Sequence, residues 1–469
     1  RLGERARPTD AADWVEEEFS TAEFYDPRLR KRLFRVVRDF YTQPQASIPQ
    51  ACTSHASTKA AYRFFDNKRV SMEGVLSPHI ESTVERIKGK HVVLAVQDTT
   101  TVNYTTHRAT EGLGPIGTQS QGSVGLVVHD TMAFTPEGTP LGLLNVQCWA
   151  RDPKEKGKKH RRKELPIEQK ESAKWIKSYE AVREVQKLCP ETMLVSVGDR
   201  ESDIYELFLA TQQPDAPKLL VRCERSRNRK TEAGYLWEQV AKEPVAGILG
   251  VHIPRKGCQL ARDAKLQVRY AQITLTPPRN TKYRPIDVFM VYVREIDYSK
   301  AVASPLEWML LTTVEVSHFE QACERVFWYA ARWGIEVYHR TMKSGCRIED
   351  RRLETAESLE SCLAIDMVVA WRIYHLVKLS REIPDSSCTV FFEEAEWKAL
   401  YLYVNNTLEL PDRPPTLREA TRMLASLGGF LGRKGDGEPG TTTLWRGIQC
   451  LKYIAATYLL LLPRLRAGP

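Results

Sequence analysis

Two short runs, HVVLAVQD ending at residue 98 and TMLVSVGD ending at residue 199, constrain this chain more than any other feature. Each is apolar through its middle and closes on an aspartate. Neither alternates between apolar and polar residues, as a strand with one wet face would, so both faces must be covered. A sheet whose central strands are buried on both sides needs helices on either face, which makes the fold α/β.

The neighbouring segments give the order of elements. SVGLVVHDTMAF and LGLLNVQCWA read as strands joined by the hairpin turn TPEGTP. An amphipathic helix follows at about 168–189, with Trp175, Tyr179, Val182, Val185 and Cys189 on one face. SDIYELFLATQQ reads as a helix, and KLLVRCE as a further strand. Three antiparallel strands, a helix and then further strands are the order of a ribonuclease-H-like core, a mixed sheet with flanking helices. Residues 225–317 alternate in strand fashion (LQVRYAQITL, IDVFMVYV, WMLLTTVEV) and read as a β-rich insertion. Helical spacing marks residues 8–70 and most of the chain after 317. The division expected is a helical N-terminal domain at 1–72, a core at 73–380 and a helical C-terminal domain at 381–469.

Composition narrows the function. Hydrophobic content of 42% and 27% charged residues describe an ordinary globular chain, with no run of eighteen apolar residues for a membrane span. Residues 1–17 are charged and unlike a signal peptide. Ten cysteines stand singly without a C-x-x-C pair, against a zinc ribbon or a redox motif and in favour of a reducing, cytoplasmic setting. The net charge is +9, and residues 151–163 (RDPKEKGKKHRRK) hold eight Lys or Arg against two acids. A second knot joins Arg225, Arg227, Arg229 and Lys230. Such runs serve either as solvated loops or as phosphate-backbone contacts. Arg28, Arg30, Lys31 and Arg32 sit on the surface of the N-terminal helices, which either bind DNA or only pack.

Acids number 59 in 469 residues, so three chosen ones mean nothing by themselves. Asp98 and Asp199 stand out by closing apolar strands, although either alone is equally a capping or turn residue. The segment 327–345, FWYAARWGIEVYHRTMKSG, carries more. On one helix, Tyr329, Arg332, Trp333, Glu336, Arg340 and Lys343 share a face, while Phe327, Ala331, Ile335, Tyr338 and Met342 form an apolar stripe. A salt-bridged surface accounts for the charges but not for Tyr and Trp among them. A carboxylate among phosphate-binding cations and stacking aromatics is what DNA cleavage needs. Three carboxylates from two strands and a helix can hold two divalent ions about 3.5–4 Å apart. Hard oxygen donors point to Mg²⁺, with Mn²⁺ as substitute. His160, His318 and His339 are isolated in sequence and read as structural or surface residues.

At this helix the chain resembles the DDE transposases of the insertion-sequence-4 family, whose signature is Y-x-x-R-x-x-x-E-x-x-x-x-x-x-K. Tyr329, Arg332, Glu336 and Lys343 match it; Asp98 stands in QDTT and Asp199 in DRESDI, near that family's D-R-E-A-D-I. DPR, AYRF, KESAKW, LGGF and TLW extend the likeness, in order, over almost the whole chain, towards the Tn5-like members. The resemblance implies that Asp98, Asp199 and Glu336 bind metal, and that Tyr329, Arg332 and Lys343 grip DNA near the scissile phosphate. It also implies that Trp308 stacks on a flipped base, with Trp333 a second aromatic beside it, and that Arg222 contacts the transferred end. Without it, Trp308 reads as a core tryptophan. The implied activity is cut-and-paste transposition: a homodimer pairs two double-stranded transposon ends, cleaves through a hairpin and joins the 3′ ends to target DNA, associated with the bacterial nucleoid and with no membrane. The alternatives are an inactive transposase-derived DNA-binding or inhibitory protein, and a stand-alone nuclease. The basic segment 151–163 has no counterpart that aligns.

Overall fold

The computed structural model describes residues 13–117, 122–155, 169–253, 260–279, 281–300, 302 and 304–467. Nine strands carry the architecture: β1 Val92–Asn103, β2 Val124–Phe134, β3 Pro140–Trp149, β4 Met193–Gly198, β5 Lys218–Arg222, β6 Gly247–Ile253, β7 Arg262–Leu275, β8 Ile286–Ile296 and β9 Glu307–Thr312. With three two-residue strands they make one twelve-stranded sheet. Its first part runs β3-β2-β1-β4-β5, with β1, β2 and β3 antiparallel and β4 and β5 parallel to β1. That is the strand order of a ribonuclease-H-like core. The turn between β2 and β3 closes as its sequence suggests, with the Gly138 amide donating to the Thr135 carbonyl and Gly138 at φ +89°.

The β-rich block does not stand apart from this core. β9 pairs antiparallel with β5, and β8, β7 and β6 follow, so the inserted strands extend the same sheet. Their alternating pattern follows from position: β6, at the margin, buries only alternate residues in part.

Helices cover the sheet. α1 Trp14–Glu18, α2 Pro27–Thr42, α3 Ile48–Cys52 and α4 His55–Phe65 form the N-terminal bundle, and α5 Met72–Ile87 packs on β3. α6 Ala173–Leu188 and α7 Tyr205–Ala210 lead into β4 and β5. α8 Leu236–Lys242 precedes β6; α9 Phe319–Ala331 and α10 Trp333–Arg340 follow β9. α11 Ala356–Glu382 is buried on nearly every side, which is why it lacks a polar face. It touches α2, α4, α5 and β3 as well as the closing helices α13 Leu417–Leu427 and α14 Thr441–Ala467, on which α12 Glu394–Val404 packs. No described helix is long and apolar enough to cross a membrane.

One buried ion pair ties the bundle to this spine. Arg351 donates to both Asp366 oxygens, at 2.9 and 2.8 Å, and to the Pro44 and Ala46 carbonyls at the end of α2. Each partner consumes charge that the interior would otherwise penalise.

Candidate active site

β1 does not end at Asp98; it runs five residues further. What ends there is its parallel partner. Pairing with β4 stops at Val96↔Val197, and β4 stops at Gly198. Asp98 and Asp199 therefore each lie two residues past that last pair, side by side at the carboxyl edge of neighbouring strands. Their side of the sheet is fixed by period two. Leu94, Val96, Val195 and Val197 belong to the cluster that also holds Ile335, Tyr338 and Met342, whereas Val93, Ala95 and Leu194 pack with Val182 and Val185 of α6. Asp98 and Asp199 continue the first set, towards the helix that carries Glu336.

That helix is not continuous, contrary to the single ideal helix of the sequence reading. It breaks at Arg332 between α9 and α10 and closes in a π-helical turn, Thr341–Gly345. Gly334 permits a close approach to the sheet, since a Cβ there would meet the Phe134 ring at 2.8 Å. Before the break the buried side differs from the expected stripe: Phe327 is 50% exposed, while Trp328 and Tyr329 are buried. Arg340, on the opposite side from Ile335, is exposed.

Arg332 is the hub. Its guanidinium lies 2.7 Å from the Glu336 carboxylate and 3.9 Å from that of Asp98. Burial lowers its pKa less than Tyr329, Asp98 and Glu336 raise it, so its charge is reinforced. Asp98 has its pKa pushed up to about 6 by burial, which His339 and Arg332 only partly offset. Asp199 caps the turn after β4, accepting from the Glu201 amide at 2.8 Å.

The aromatic and cationic residues assemble next to the acids. β9 sets Leu310 opposite Arg222 of β5, and the Arg222 guanidinium donates to the Glu307 carbonyl at 3.1 Å. Trp308, half-buried, meets the Tyr329 ring edge-to-face with centroids 4.9 Å apart. The Tyr329 pKa is raised, first by burial, with Arg332, Arg222 and Asp199 all close enough to act on it. Trp333 is 44% exposed at the start of α10. Lys343 is half-buried on the π turn, where burial lowers its pKa against the opposing pull of Glu349.

His339 was misjudged from sequence. It is buried, with Nε2 2.8 Å from Asp130 Oδ1 and Nδ1 3.8 Å from Asp98 Oδ2. Burial opposes its charge, but Asp130 and Asp98 outweigh it and raise its pKa. Two signals were available: His339 lies one helical turn from Glu336, and Asp130 in VVHD faces Asp98 across β1 and β2. Of the second basic knot, one arginine is tied up inside the fold. Arg229 pairs with buried Asp203, Arg227 donates to the Asp203 carbonyl and Arg225 pairs with Glu307 at 3.0 Å, while Arg225, Arg227 and Lys230 stay exposed. Of the first run, Arg151 pairs with Glu171 at 2.6 Å, and residues 156–168, His160 among them, lie outside the described residues.

The donors gathered here are carboxylate oxygens, the hard ligands that suit Mg²⁺ or Mn²⁺. Asp130 adds a wholly buried Oδ2 with no hydrogen-bond partner. Among the described residues, no three acid, histidine or cysteine side chains stand close enough to chelate an ion as they are. A cation does lie between two of the acids, the Arg332 guanidinium. In chemistry, the set fits a hard divalent ion.

Two family models match the chain. One is a transposase DNA-binding domain, over residues 11–70, and the other is the Tn5 transposase dimerisation domain, over residues 368–458. The chain is thus a transposase, built to bind DNA and to dimerise. More narrowly, the two matches support a likeness to the Tn5-like transposases. One solved structure, the piggyBac transposase synaptic complex with hairpin DNA, resembles it at 10% identity over 79% of this chain and 72% of that one, with a TM-score of 0.37. A likeness that loose adds nothing to the argument.

Proposed function

We propose that this chain is a DDE cut-and-paste transposase in which Asp98, Asp199 and Glu336 hold the divalent metal and carry strand cleavage and joining. The observation that supports this best is the meeting of Asp98 and Glu336 on one guanidinium, beside Asp199 at the adjacent strand end. Mg²⁺ or Mn²⁺ bound by these acids supplies activation of the attacking oxygen and stabilisation of the leaving one.

The chain's own residues do the rest. Arg332 is charged and half-buried, so an incoming phosphate competes with Asp98 and Glu336 for its guanidinium. Arg222 and Lys343 add positive charge on either side and orient the strand for in-line attack. Trp308, backed by Tyr329 and with Trp333 nearby, presents an aromatic surface on which an unpaired base stacks. A tight DNA hairpin needs such a surface, because its terminal bases cannot stay stacked. Each step is a phosphoryl transfer at one site: water frees a 3′-hydroxyl, that hydroxyl attacks the opposite strand to close the hairpin, water reopens the hairpin, and the regenerated 3′-hydroxyl attacks target DNA.

The test uses a plasmid carrying the inverted repeats that flank the gene. Glu336→Ala is expected to abolish Mg²⁺-dependent cleavage and leave binding of the ends largely intact by mobility shift. Normal excision by that variant refutes the assignment.

A further inference from the structure

The three acids are not supported alike. Glu336 leans on Arg332 and Asp199 caps its own turn, whereas Asp98 faces another carboxylate. Asp130 lies directly opposite it on β2 and is wholly buried. Two acids set opposite each other across strands in a low-dielectric interior repel, so Asp98 needs a partner that holds its carboxylate in place. His339 reaches this pair from α10. The 2.8 Å contact between Nε2 and Asp130 Oδ1 fixes the ring, and the fixed ring turns Nδ1 towards Asp98 Oδ2 at 3.8 Å. The Asp130–His339–Asp98 chain is therefore an acid that orients an imidazole, which in turn faces a candidate ligand. Groups in that second position commonly set a ligand's orientation and affinity.

We propose that His339, anchored by Asp130, is a positioning residue that holds the Asp98 carboxylate ready for the divalent metal. This rests on the reading of Asp98 as a metal ligand. A purely structural role would need only the Nε2 bond that satisfies buried Asp130. Positioning needs Nδ1 as well, and His339→Gln separates the two, since a glutamine amide can reach Asp130 but places no donor where Nδ1 stands.

The experiment titrates the full chain, without DNA, with Mn²⁺ alone and follows free Mn²⁺ by electron paramagnetic resonance. His339→Ala and Asp130→Asn are each expected to weaken Mn²⁺ binding about 10- to 100-fold. The double variant should be no weaker than the worse single one, because both act through one chain of contacts. His339→Gln should keep wild-type circular dichroism and still bind weakly; it carries the test if the alanine variant unfolds. Wild-type Mn²⁺ affinity in His339→Gln, or additive effects in the double variant, would overturn the proposal. Asp98→Ala is the separate control. If it binds Mn²⁺ as the wild type does, the metal-site reading itself fails.

Discussion

Asp98→Asn should make the metal-free protein more stable at neutral pH, although it removes a candidate catalytic group. Burial raises the Asp98 pKa from 3.8 to about 6, with His339 and Arg332 pulling the other way. Its side chain is only 18% exposed, so solvent screens little of this. Between those two pH values the folded state holds a proton that the unfolded state has lost, so stability falls as pH rises. The penalty is absent below about pH 4 and complete above about pH 7. A shift of about two units, at about 1.4 kcal/mol each, gives a cost of about 3 kcal/mol. Asparagine stays neutral and escapes it, less whatever His339 loses with the Asp98 charge; Asp130 keeps that ring paired. A gain of about 1–3 kcal/mol is expected at pH 7.5 and close to none at pH 4. For a chain of this length unfolding as one unit, that is roughly 1–3 °C in calorimetry. Mn²⁺ should then raise the wild-type transition but not the variant's. A less stable variant at pH 7.5, or a difference that does not change with pH, refutes the reasoning.

Two further outcomes follow from contacts already described. Arg351→Met strands Asp366 in the interior and should cost about 3–5 kcal/mol, whereas adding Asp366→Leu should return most of it, as denaturation of the two variants will show. Trp308→Ala should leave first-strand nicking nearly intact and slow hairpin formation about tenfold to a hundredfold, the worth of one stacked base, read from the ratio of nicked to hairpin products on denaturing gels.

Legibility in the sequence tracked the range of the interaction. The apolar runs ending at Asp98 and Asp199 identified strands covered on both faces, because burial on two sides is written residue by residue. The chain order of core elements, three strands, a helix and further strands, followed from helix and strand periods, whereas their spatial order β3-β2-β1-β4-β5 did not. Nor did the joining of the inserted strands to that sheet, since the pairing of β9 with β5 spans about ninety residues and leaves no local mark. Within the site, i and i+4 spacing linked Arg332 to Glu336, as a helix requires. The same reasoning missed the break at Arg332 and the close seat of Gly334 against Phe134 from another element. It also missed His339, whose partner Asp130 lies 209 residues away. Within the knot at 225–230, charge composition did not reveal that Arg229 pairs with Asp203 buried beneath it.

The mount of Glu336 gives the last prediction. α10 runs into the π turn, and single π turns interrupt helices where a side chain must be re-aimed. Gly345 closes that turn against the C-terminal helix α14, where an added Cβ would lie 2.7 Å from Trp445 Cε3 and 3.1 Å from Cδ2. Trp445 is buried in the main core cluster, so Gly345→Ala is expected to displace the ring, the turn or α14. Overpacking of this kind costs about 1–3 kcal/mol. The site end of the strain is Lys343 and, one and two turns earlier, His339 and Glu336. Catalysis should therefore fall more than stability does: cleavage drops by tenfold or more while the melting temperature moves by a few degrees. Trp445→Phe in the same chain removes the ring that blocks the Cβ and should restore cleavage. If Gly345→Ala cuts DNA at the wild-type rate, the seating of α14 has no bearing on how Glu336 is held.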